Sequence, residues 1–372
     1  MVVEIGSEIR IRDASKELYD WAQENLIIPN PQYRERERRG LWVGNTPKYL
    51  WLYHVDGSDL IVPTGVGKQV RQFLSEKDKI SVHLADNGIL DYKGTIPLYD
   101  YQKDAVEAMQ RTSCGILQSP CGSGKTQMGI ALAAELSRKV LWITHTQDLL
   151  TQSKTRAEQY FPEETLGTIT AGKAQVGSHI TFATVQTLCK MDLDQFRYTW
   201  DVVIVDECHR LAGSPTQVTM FYKVMNGLAA RHKYGLSATV HRSDGMIKST
   251  FAVLGPVIYK VPDEAVADKT MQVRILQRNT DITVSRSCLD TDGTLDYNEL
   301  LSYLGGNRER NEMIVKDLVN QKGHSCLILA SRLEQLRNIM DLLPDELRSI
   351  SAMIDGGMTS KKGKAEREAA IE

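Results

Sequence analysis

The feature that most constrains this chain is a glycine-rich turn between an apolar strand and an amphipathic helix. The strand is Gly115–Leu117, and Met128, Ala131, Leu132 and Leu136 follow the turn at helical spacing. Glycines in such a turn let backbone N–H groups converge on an anion, and the start of the helix adds positive potential there. The pattern therefore predicts a loop that binds phosphate groups.

Individual residues of this turn have separate expected roles in binding a nucleotide. Lys125 can reach the β and γ phosphates of a nucleotide, and the Thr126 hydroxyl can hold Mg²⁺. Ser119 stands where the G-x-x-x-x-G-K-[ST] pattern begins with glycine. The residues that we expect to bind the nucleotide are Cys121, Gly122, Ser123, Gly124, Lys125 and Thr126.

A second stretch, Val62–Gln69, resembles the same pattern. It has Gln69 at the position of the hydroxyl residue that would bind Mg²⁺. We therefore interpret it as a loop turn without a nucleotide.

Composition and charge limit the class of protein. The 372 residues are 42% hydrophobic and 25% charged, as in ordinary globular proteins, and are enough for two or three domains. Lysine and arginine, 45 together, nearly balance aspartate and glutamate, 47 together, so any nucleic-acid binding must use a local surface. The six cysteines lack C-x-x-C spacing, which argues against a zinc site and a disulfide framework. Because a signal peptide and a membrane-length apolar run are both missing, we expect an intracellular protein with no membrane partner.

Residues 1–95 are predicted to form a small mixed α+β domain. Ser15 is a candidate helix cap, and the pairs Asp56–Gly57 and Asn87–Gly88, each between short apolar runs, predict hairpin turns. The boundary near residue 95 is placed where the pattern changes to alternating strands and helices.

A charged segment in this domain has two interpretations. Tyr33–Arg39 is followed by Trp42, Lys48 and Tyr49, and cations beside aromatic rings suit phosphate pairing and base stacking. The two glutamates within the segment dilute its charge, as in a solvated surface segment. Both interpretations stay open at this point.

From Ile96 onward, alternating apolar strands and amphipathic helices predict a parallel α/β sheet. The predicted strands are Gly115–Gln118, Val140–Thr144, His179–Ala183, Val202–Val205 and Lys233–Leu236. The predicted helices are Tyr101–Gln110, Lys125–Leu136 and Gln147–Tyr160.

An acidic pair follows the most apolar of these strands. Val202–Val205 has four β-branched residues in a row, which indicates a central strand, and Asp206 and Glu207 come directly after it. Ligands of open α/β sheets bind at the carboxyl ends of the strands, so we expect this pair beside the phosphate loop. Asp206 would hold Mg²⁺, and Glu207 would orient and deprotonate an attacking water.

The motifs from about residue 96 to the end resemble those of superfamily two helicases and translocases. Asp206–His209 matches the family's DExH motif, and Lys125 with Thr126 matches its motif I. The resemblance implies a RecA-like lobe, ATP and Mg²⁺ as cofactors, adenine recognition by Gln102, and coupling of hydrolysis to DNA movement by a third motif. The residues of that coupling motif are Ser237, Ala238 and Thr239. The positions that resemble the family's nucleic-acid contacts are Thr146, Gly172, Lys173, Thr184 and Gln186.

The stretch from Gly235 to Gly245, with Leu254–Val257 after it, is similar to XPB-type DNA translocases and UvsW-like phage helicases. Arg242-Ser243-Asp244 stands where XPB-type proteins have Arg-Glu-Asp, and the resemblance implies a coupling role for Arg242. It also implies DNA as partner, nuclease or repair partners, a role in DNA repair or recombination, and the cytoplasm of a prokaryote or a phage-infected cell. Proteins of this type often carry an N-terminal DNA-recognition domain, which is our interpretation of residues 1–95.

The C-terminal third resembles the beginning of a second RecA-like lobe. Cys326–Arg332 matches its first strand, Ile354–Thr359 the next strand and turn, and Lys361–Arg367 a basic helix. The family's motifs V and VI, with its arginine fingers, have no counterpart in the sequence. We therefore expect an α/β protein with a mixed α+β domain (1–95), a RecA-like lobe (96–262) and a connector with an incomplete second lobe (263–372).

Three functions follow from these expectations. The first is an ATP-dependent helicase or translocase on duplex or branched DNA, with this chain an ATPase-impaired fragment or a naturally truncated form, because an arginine finger contributes roughly 10³ to 10⁵ in rate. The second is the motor of a restriction or defence complex whose nuclease is a separate subunit. The third is a DNA-binding module without turnover. RNA as the substrate is less favoured, because the expected N-terminal domain and the Arg242 element favour DNA.

Overall fold

A computed structural model describes residues 1–170, 173–212, 214–241, 245–267, 274–290, 293–321, 323–358 and 363. It divides into two compact units, Met1–Gln272 and Val273–Glu372. Gly172, Arg242 and, except for residue 363, the helix expected at Lys361–Arg367 lie outside the described residues.

The first part of unit one contains a small five-stranded sheet, in the order β5-β6-β2-β1-β7. Its buried residues, among them Ile11, Leu18 and Leu60, form one apolar core between sheet and helix. The elements are β1 (Val2–Ile5), β2 (Glu8–Arg12), α1 (Lys16–Asn25), β3 (Ile27–Pro29), α2 (Pro31–Arg38), β4 (Tyr49–Trp51), β5 (His54–Asp56), β6 (Asp59–Pro63), α3 (Gly67–Arg71) and β7 (Lys79–Val82).

Two local predictions for this part are confirmed and one is wrong. The Ser15 hydroxyl accepts from the Leu18 N–H and caps α1, and Gly57 at φ +61° lies in the turn between β5 and β6. No hairpin forms at Asn87–Gly88, because the backbone there bonds to the following lobe instead of to itself. The N–H groups that donate to the lobe are those of Ala85 to the Ala229 carbonyl, Asn87 to the Asp201 carboxylate and Leu90 to the Ser137 carbonyl.

The second part of unit one is an eight-stranded sheet in the order β11-β10-β12-β9-β13-β14-β8-β15. All its pairs are parallel except β10 with β11, and helices cover both faces, as in a RecA-like lobe. The elements are α4 (Asp100–Gln110), β8 (Cys114–Gln118), α5 (Lys125–Leu136), β9 (Val140–Thr144), α6 (Gln147–Glu158), β10 (Leu166–Thr170), β11 (Lys173–Gln175), β12 (Ile180–Thr184), α7 (Val185–Leu188), β13 (Val202–Val205), α8 (Pro215–Gly227), β14 (His232–Ser237), α9 (Ile247–Leu254), β15 (Val257–Lys260) and α10 (Asp263–Val266).

The predicted fold class is confirmed, and the five predicted strands and three predicted helices of this lobe all form. Val202–Val205 is fully buried between β9 and β14, as a central strand should be. The sequence did not indicate the two edge strands, β11 and β15, or β10, which lies next to β11. Edge strands are paired on one side only, so they carry a weaker apolar signal than central ones.

The stretch Val62–Gln69 does not form a simple loop turn. It ends β6, makes a 3-10 turn and begins α3. A Cβ on Gly65 would lie 2.5 Å from the backbone nitrogen of Gly255, which follows α9. Glycine is therefore needed here for close packing against the lobe.

A buried lysine also joins the two parts of unit one. Lys233 on β14 is 3% exposed, and its Nζ donates to the carbonyls of Ser7 (3.0 Å) and Met225 (2.8 Å). Burial lowers its pKa to about 8, although the nearby Glu8 carboxylate opposes this. The turn between β1 and β2 is thus fastened to a strand of the lobe. The predicted boundaries of the three domains remain predictions.

Unit two is helical in its described residues, with α11 (Tyr297–Gly306), α12 (Arg308–Val319), α13 (Leu333–Leu342) and α14 (Asp345–Arg348). Val315, Ile339 and Leu343 form its small core. The strand predicted at Cys326–Arg332 is wrong for this structure, because residues 325–330 pair with no neighbouring strand. Residues 354–355 likewise form no strand, although a turn follows them.

Among the described residues, no helix is both long and apolar enough to span a membrane.

Candidate nucleotide site

Sheet topology brings the predicted motifs together. Strand β14 lies between β8 and β13. The phosphate loop follows β8, the acidic pair follows β13 and Ser237 ends β14, so all three leave the same edge of the sheet on adjacent strands.

The phosphate loop has the backbone that its glycines predict. Gly122 and Gly124 adopt left-handed φ angles of +79° and +83°, a region that glycine enters without strain. A Cβ on Gly124 would lie 2.5 Å from the Gln102 side-chain nitrogen, so any other residue here would be strained by the left-handed φ and would displace the Gln102 amide. Helix α5 begins at Lys125, directly after the loop.

Ser119, which stands at the position of the first glycine in the pattern, stabilises the loop through hydrogen bonds. It is fully buried, its hydroxyl pairs with the Ser123 hydroxyl, and its N–H donates to the Ser237 carbonyl (2.9 Å). The Ser123 hydroxyl also bonds to the Pro120 carbonyl (2.7 Å). These bonds close the loop on itself and hold it against the end of β14.

The acidic pair is held in two different electrostatic environments. Asp206 is 6% exposed, and burial together with the charge of Glu207 raises its pKa to about 6. The pKa of Glu207 is instead lowered, first by its hydrogen bond with His209 and then, against some burial, by Lys125. Neighbouring carboxylates whose pKa values are shifted in opposite directions are typical of functional sites in which the two groups have different acid and base roles.

Glu207 is also held in an unusual backbone conformation. Its φ of +48° is left-handed, which costs a residue with a side chain of the order of 1 kcal/mol. Its Oε2 lies 3.2 Å from His209 Nδ1, and its Oε1 lies 3.6 Å from Lys125 Nζ. These contacts aim the carboxylate toward the phosphate loop.

These groups line one cleft of about 420 Å³ at the carboxyl edge of the sheet. Its wall includes the loop, both acidic residues and one face of α6. The predicted residues that line it are Gly122, Gly124, Lys125, Thr126, Asp206 and Glu207. Cys121 is exposed and Ser123 faces the neighbouring cleft.

The residues present fit a magnesium ion. Asp206 is a desolvated carboxylate whose hydrogen bonds come from the Glu207 N–H (2.9 Å) and, more weakly, the Ser153 hydroxyl (3.4 Å). Thr126 lines the same cleft. Mg²⁺ at nucleotide sites is held by one or two such groups together with phosphates and waters. Within the described residues no cluster of three or more His, Cys, Asp and Glu could hold a metal by itself.

A second cleft of about 450 Å³ continues from the first toward Gln102. The Gln102 amide nitrogen donates to the Ser123 carbonyl (2.9 Å), and its oxygen accepts from the Tyr99 N–H (2.9 Å). Tyr101 also donates to the Ser123 carbonyl (3.0 Å), and its ring stacks on Tyr99. Gln102 is thus near the place expected for a base, but its amide is engaged with the loop. Its recognition of adenine stays a prediction.

The predicted coupling residues are connected to the acidic pair. The Ser237 hydroxyl lies 2.9 Å from His209 Nδ1 and also bonds to the Thr239 carbonyl (2.7 Å). The Ala238 carbonyl accepts from the Gln118 amide at 3.5 Å. A chain of contacts therefore runs from the end of β14 through His209 to Glu207.

The predicted nucleic-acid contacts are brought together only in part. Thr146 caps α6 after β9, and Thr184 ends β12, which pairs with β9. Gln186 donates to the His145 carbonyl (2.9 Å), so these three positions lie at one edge of the sheet. Lys173 is exposed on the edge strand β11. Their role in binding nucleic acid stays a prediction.

The sequence did not single out a polar group that borders both clefts. The Gln127 side chain bonds to the Tyr160 hydroxyl (2.8 Å), the Pro97 carbonyl (3.2 Å) and Arg156 Nε (3.0 Å). Leu149, Gln152, Ser153 and Arg156 reach the site because they recur every three or four residues on α6. That spacing was the only signal available, and apolar periodicity alone does not detect a polar face.

Comparisons with known proteins agree with this geometry. Residues 95–242 match the family model described as "Type III restriction enzyme, res subunit". DNA 3'-5' translocase XPB2 of Sulfurisphaera tokodaii is 28% identical over 211 residues, which are 54% of this chain and 45% of that protein. DNA 3'-5' helicase XPB of Mycobacterium tuberculosis is 26% identical over 174 residues, 44% of this chain and 30% of that protein.

The fold is similar to that of the UvsW helicase from bacteriophage T4. The TM-score is 0.50 at 20% identity, over 70% of this chain and all of the UvsW chain compared. The resemblance drawn from the motifs, to superfamily two helicases of the XPB or UvsW type, is confirmed: the chain is similar to XPB-type proteins in sequence and to UvsW in fold. The chain spans less than half the length of these two curated XPB relatives.

Proposed function

We propose that this chain is the motor part of an ATP-dependent DNA helicase or translocase that acts on duplex or branched DNA. The observation that carries the proposal is the single cleft that Lys125, Thr126, Asp206 and Glu207 line at the edge of the sheet. The names of the XPB relatives and of UvsW support DNA translocation or unwinding as the work. DNA repair and recombination are the processes in which such work is needed.

In the proposed mechanism each residue acts on a nucleotide bound in this cleft. Lys125 and the loop N–H groups bind the phosphates, and Thr126 and Asp206 would hold Mg²⁺, which would supply positive charge to neutralise the phosphates. Glu207 orients the attacking water and accepts its proton. His209 keeps the carboxylate in place through its 3.2 Å contact. Ser237 and Thr239 transmit the change at Glu207 to the end of β14.

The three-part organisation belongs to the same proposal. Residues 1–95 recognise DNA, 96–262 form the nucleotide-binding lobe, and 263–372 contain a connector and the beginning of a second lobe. Thr146, Gly172, Lys173, Thr184 and Gln186 contact the DNA backbone, and Arg242 acts in coupling.

We also propose that this chain by itself turns ATP over slowly. Among the described residues, the cations that line the phosphate cleft are Lys125 and Arg156. Arg156 is engaged through Nε with Gln127 and through Nη1 with Gln159, so it is not positioned as an arginine finger. A DNA-binding module without turnover is the alternative to this proposal, and DNA binding with no detectable ATP hydrolysis would favour it.

A second candidate is the motor of a restriction or defence complex with a separate nuclease subunit. The description of the matching family model favours it. Co-purification with a nuclease or methyltransferase would separate it from a repair helicase.

Glu207→Gln tests the proposed chemistry. Binding of a fluorescent ATP analogue should be retained, while DNA-stimulated hydrolysis should fall by roughly 10²-fold or more, the range for removal of a general base. Glu164→Gln, an exposed glutamate of the same lobe, is the matched control. Ordinary turnover in Glu207→Gln would refute the assignment, and competition between matched DNA and RNA duplexes would decide the substrate.

A further inference from the structure

We propose that α2, the loop after it and β4 form a second binding site, which takes single-stranded nucleic acid. The aromatic–arginine face, as we name it, consists of Arg34, Arg38, Trp42, Lys48, Tyr49 and Trp51. This inference deepens the proposed function, because it names the form of nucleic acid that the N-terminal part recognises and the surface that does so.

Strand β4 presents its rings to solvent because of its register. It pairs antiparallel with β3, and Leu50 lies opposite the buried Ile28 and packs on the core. Side chains alternate along a strand, so Tyr49 and Trp51 point away from that core. They are 43% and 59% exposed, and Lys48 Nζ lies 6.0 Å from the centre of the Tyr49 ring.

Trp42 adds a third ring, which is 87% exposed. Its ring lies over Gly44, where a Cβ would come 3.0 Å from it, and Gly44 has a left-handed φ of +53°. The loop backbone therefore supports one side of the indole. An indole that is supported on one side and exposed on the other is suited to stack on a base.

Helix α2 supplies cations and has no buried residue of its own. It is held by Asn30, which is fully buried, caps the helix through the Gln32 N–H (3.0 Å) and donates to the Pro47 carbonyl (2.8 Å). The Asn30 N–H also donates to the Lys48 carbonyl (3.0 Å). One buried side chain thus fixes the arginine helix beside the start of the aromatic strand.

The net charge of residues 31–51 is opposite in sign to that of the whole chain. Residues 31–51 contain five lysines and arginines and two glutamates, whereas the chain has a formal net charge of −2. Arg39 pairs with Glu35 at 2.8 Å, so part of the acidic charge is neutralised within the helix. A polar helix with no apolar face gains nothing from packing, but it offers guanidinium groups to phosphates.

The combination favours single strands over duplexes. In a duplex the bases are stacked on each other, and only phosphates and groove edges can be reached. In a single strand each base has a free face, and aromatic side chains with adjacent cations are the usual means of binding it. Helicase substrates with branches or gaps contain such strands.

The test uses the full chain and an oligothymidylate of about 20 nucleotides, followed by fluorescence anisotropy. The double variant Trp42→Ala/Trp51→Ala should weaken binding by about thirtyfold, since each stacked ring contributes at least roughly fivefold. Tyr198→Ala, which removes a 52% exposed ring of the lobe, is the matched control and should bind as the parent chain does. Circular dichroism checks that each variant is folded.

Intrinsic fluorescence gives an independent readout. Of the five tryptophans, Trp142 and Trp200 are fully buried, whereas Trp42 and Trp51 are exposed. Oligothymidylate should quench the parent chain, and the quenching should be lost in the double variant. Arg34→Gln/Arg38→Gln should lower the slope of log affinity against log salt by about 0.7 for each phosphate contact removed.

Unchanged affinity and quenching in the double variant would overturn the inference, as would a loss of blunt-duplex binding in that variant as large as its loss of single-strand binding. An oligouridylate arm separates RNA from DNA as the source of the strand. ATP hydrolysis is measured alongside: loss of strand binding with intact hydrolysis supports the face and leaves the motor proposal standing. If strand binding depends on the face but neither the parent chain nor any variant hydrolyses ATP, the motor proposal is refuted and the proposal of the face stands.

Discussion

Replacement of Lys233 by methionine should change how stability depends on pH. Lys233 is buried on β14, and its ammonium group bonds to two carbonyls, one of them in the turn between β1 and β2. Burial lowers its pKa from an ordinary 10.5 to about 8. The folded state therefore binds this proton more weakly than the unfolded state does.

The sign and size of the effect follow from that difference. Below pH ~8 both states carry the proton, and the fold bears the full cost of burying the charge. Between pH ~8 and ~10.5 only the unfolded state retains it, so stability rises with pH by about 3 kcal/mol in total. Between about pH 7.5 and 9.5 the gain is roughly 2 kcal/mol.

The assay is urea unfolding followed by tryptophan fluorescence, which reports on unit one because all five tryptophans lie in it. The stability of the parent chain relative to Lys233→Met should rise by roughly 2 kcal/mol over that range. Both chains carry Cys114→Ala, since burial raises the pKa of this nearby thiol above its ordinary alkaline value and its titration would otherwise contribute. A difference that stays constant with pH would refute the argument that Lys233 is a desolvated cation.

Two further substitutions test the site. Gly124→Ala should weaken binding of a fluorescent ATP analogue by at least about tenfold, because the left-handed φ of +83° is strained for alanine and the added methyl group would displace the Gln102 amide; unchanged binding would show that the loop backbone is not fixed by this contact. Ser237→Ala removes the 2.9 Å partner of His209 without removing a residue that lines the phosphate cleft, so ATP binding should be kept while DNA-dependent strand displacement falls more than hydrolysis does. Equal loss of both activities would contradict a coupling role.

Much of the lobe could be predicted because its elements are determined locally. The buried strand Val202–Val205 and the helix after the glycine turn are recognisable from their own residue patterns. Because ligands of open α/β sheets bind at the carboxyl ends of the strands, Asp206 could be predicted to lie beside Lys125. The Asn87–Gly88 hairpin failed for the opposite reason. The Asn87–Gly88 pair favours a turn, but the backbone on either side of it forms hydrogen bonds to the lobe instead of across a hairpin.

The sequence by itself determined the chemistry that we propose for this protein, since residue type and spacing identify the candidates to hold phosphate and Mg²⁺ and to activate water. Only the tertiary structure decided how those groups are tuned. Burial beside a second carboxylate raises the pKa of Asp206 to about 6, and His209 and Lys125 lower that of Glu207. It also decided that the rings of Tyr49 and Trp51 are exposed, and that the buried Asn30 bonds both to the start of α2 and to the chain before β4. Desolvation and long-range hydrogen bonds depend on neighbours distant in the chain, and no local pattern records them.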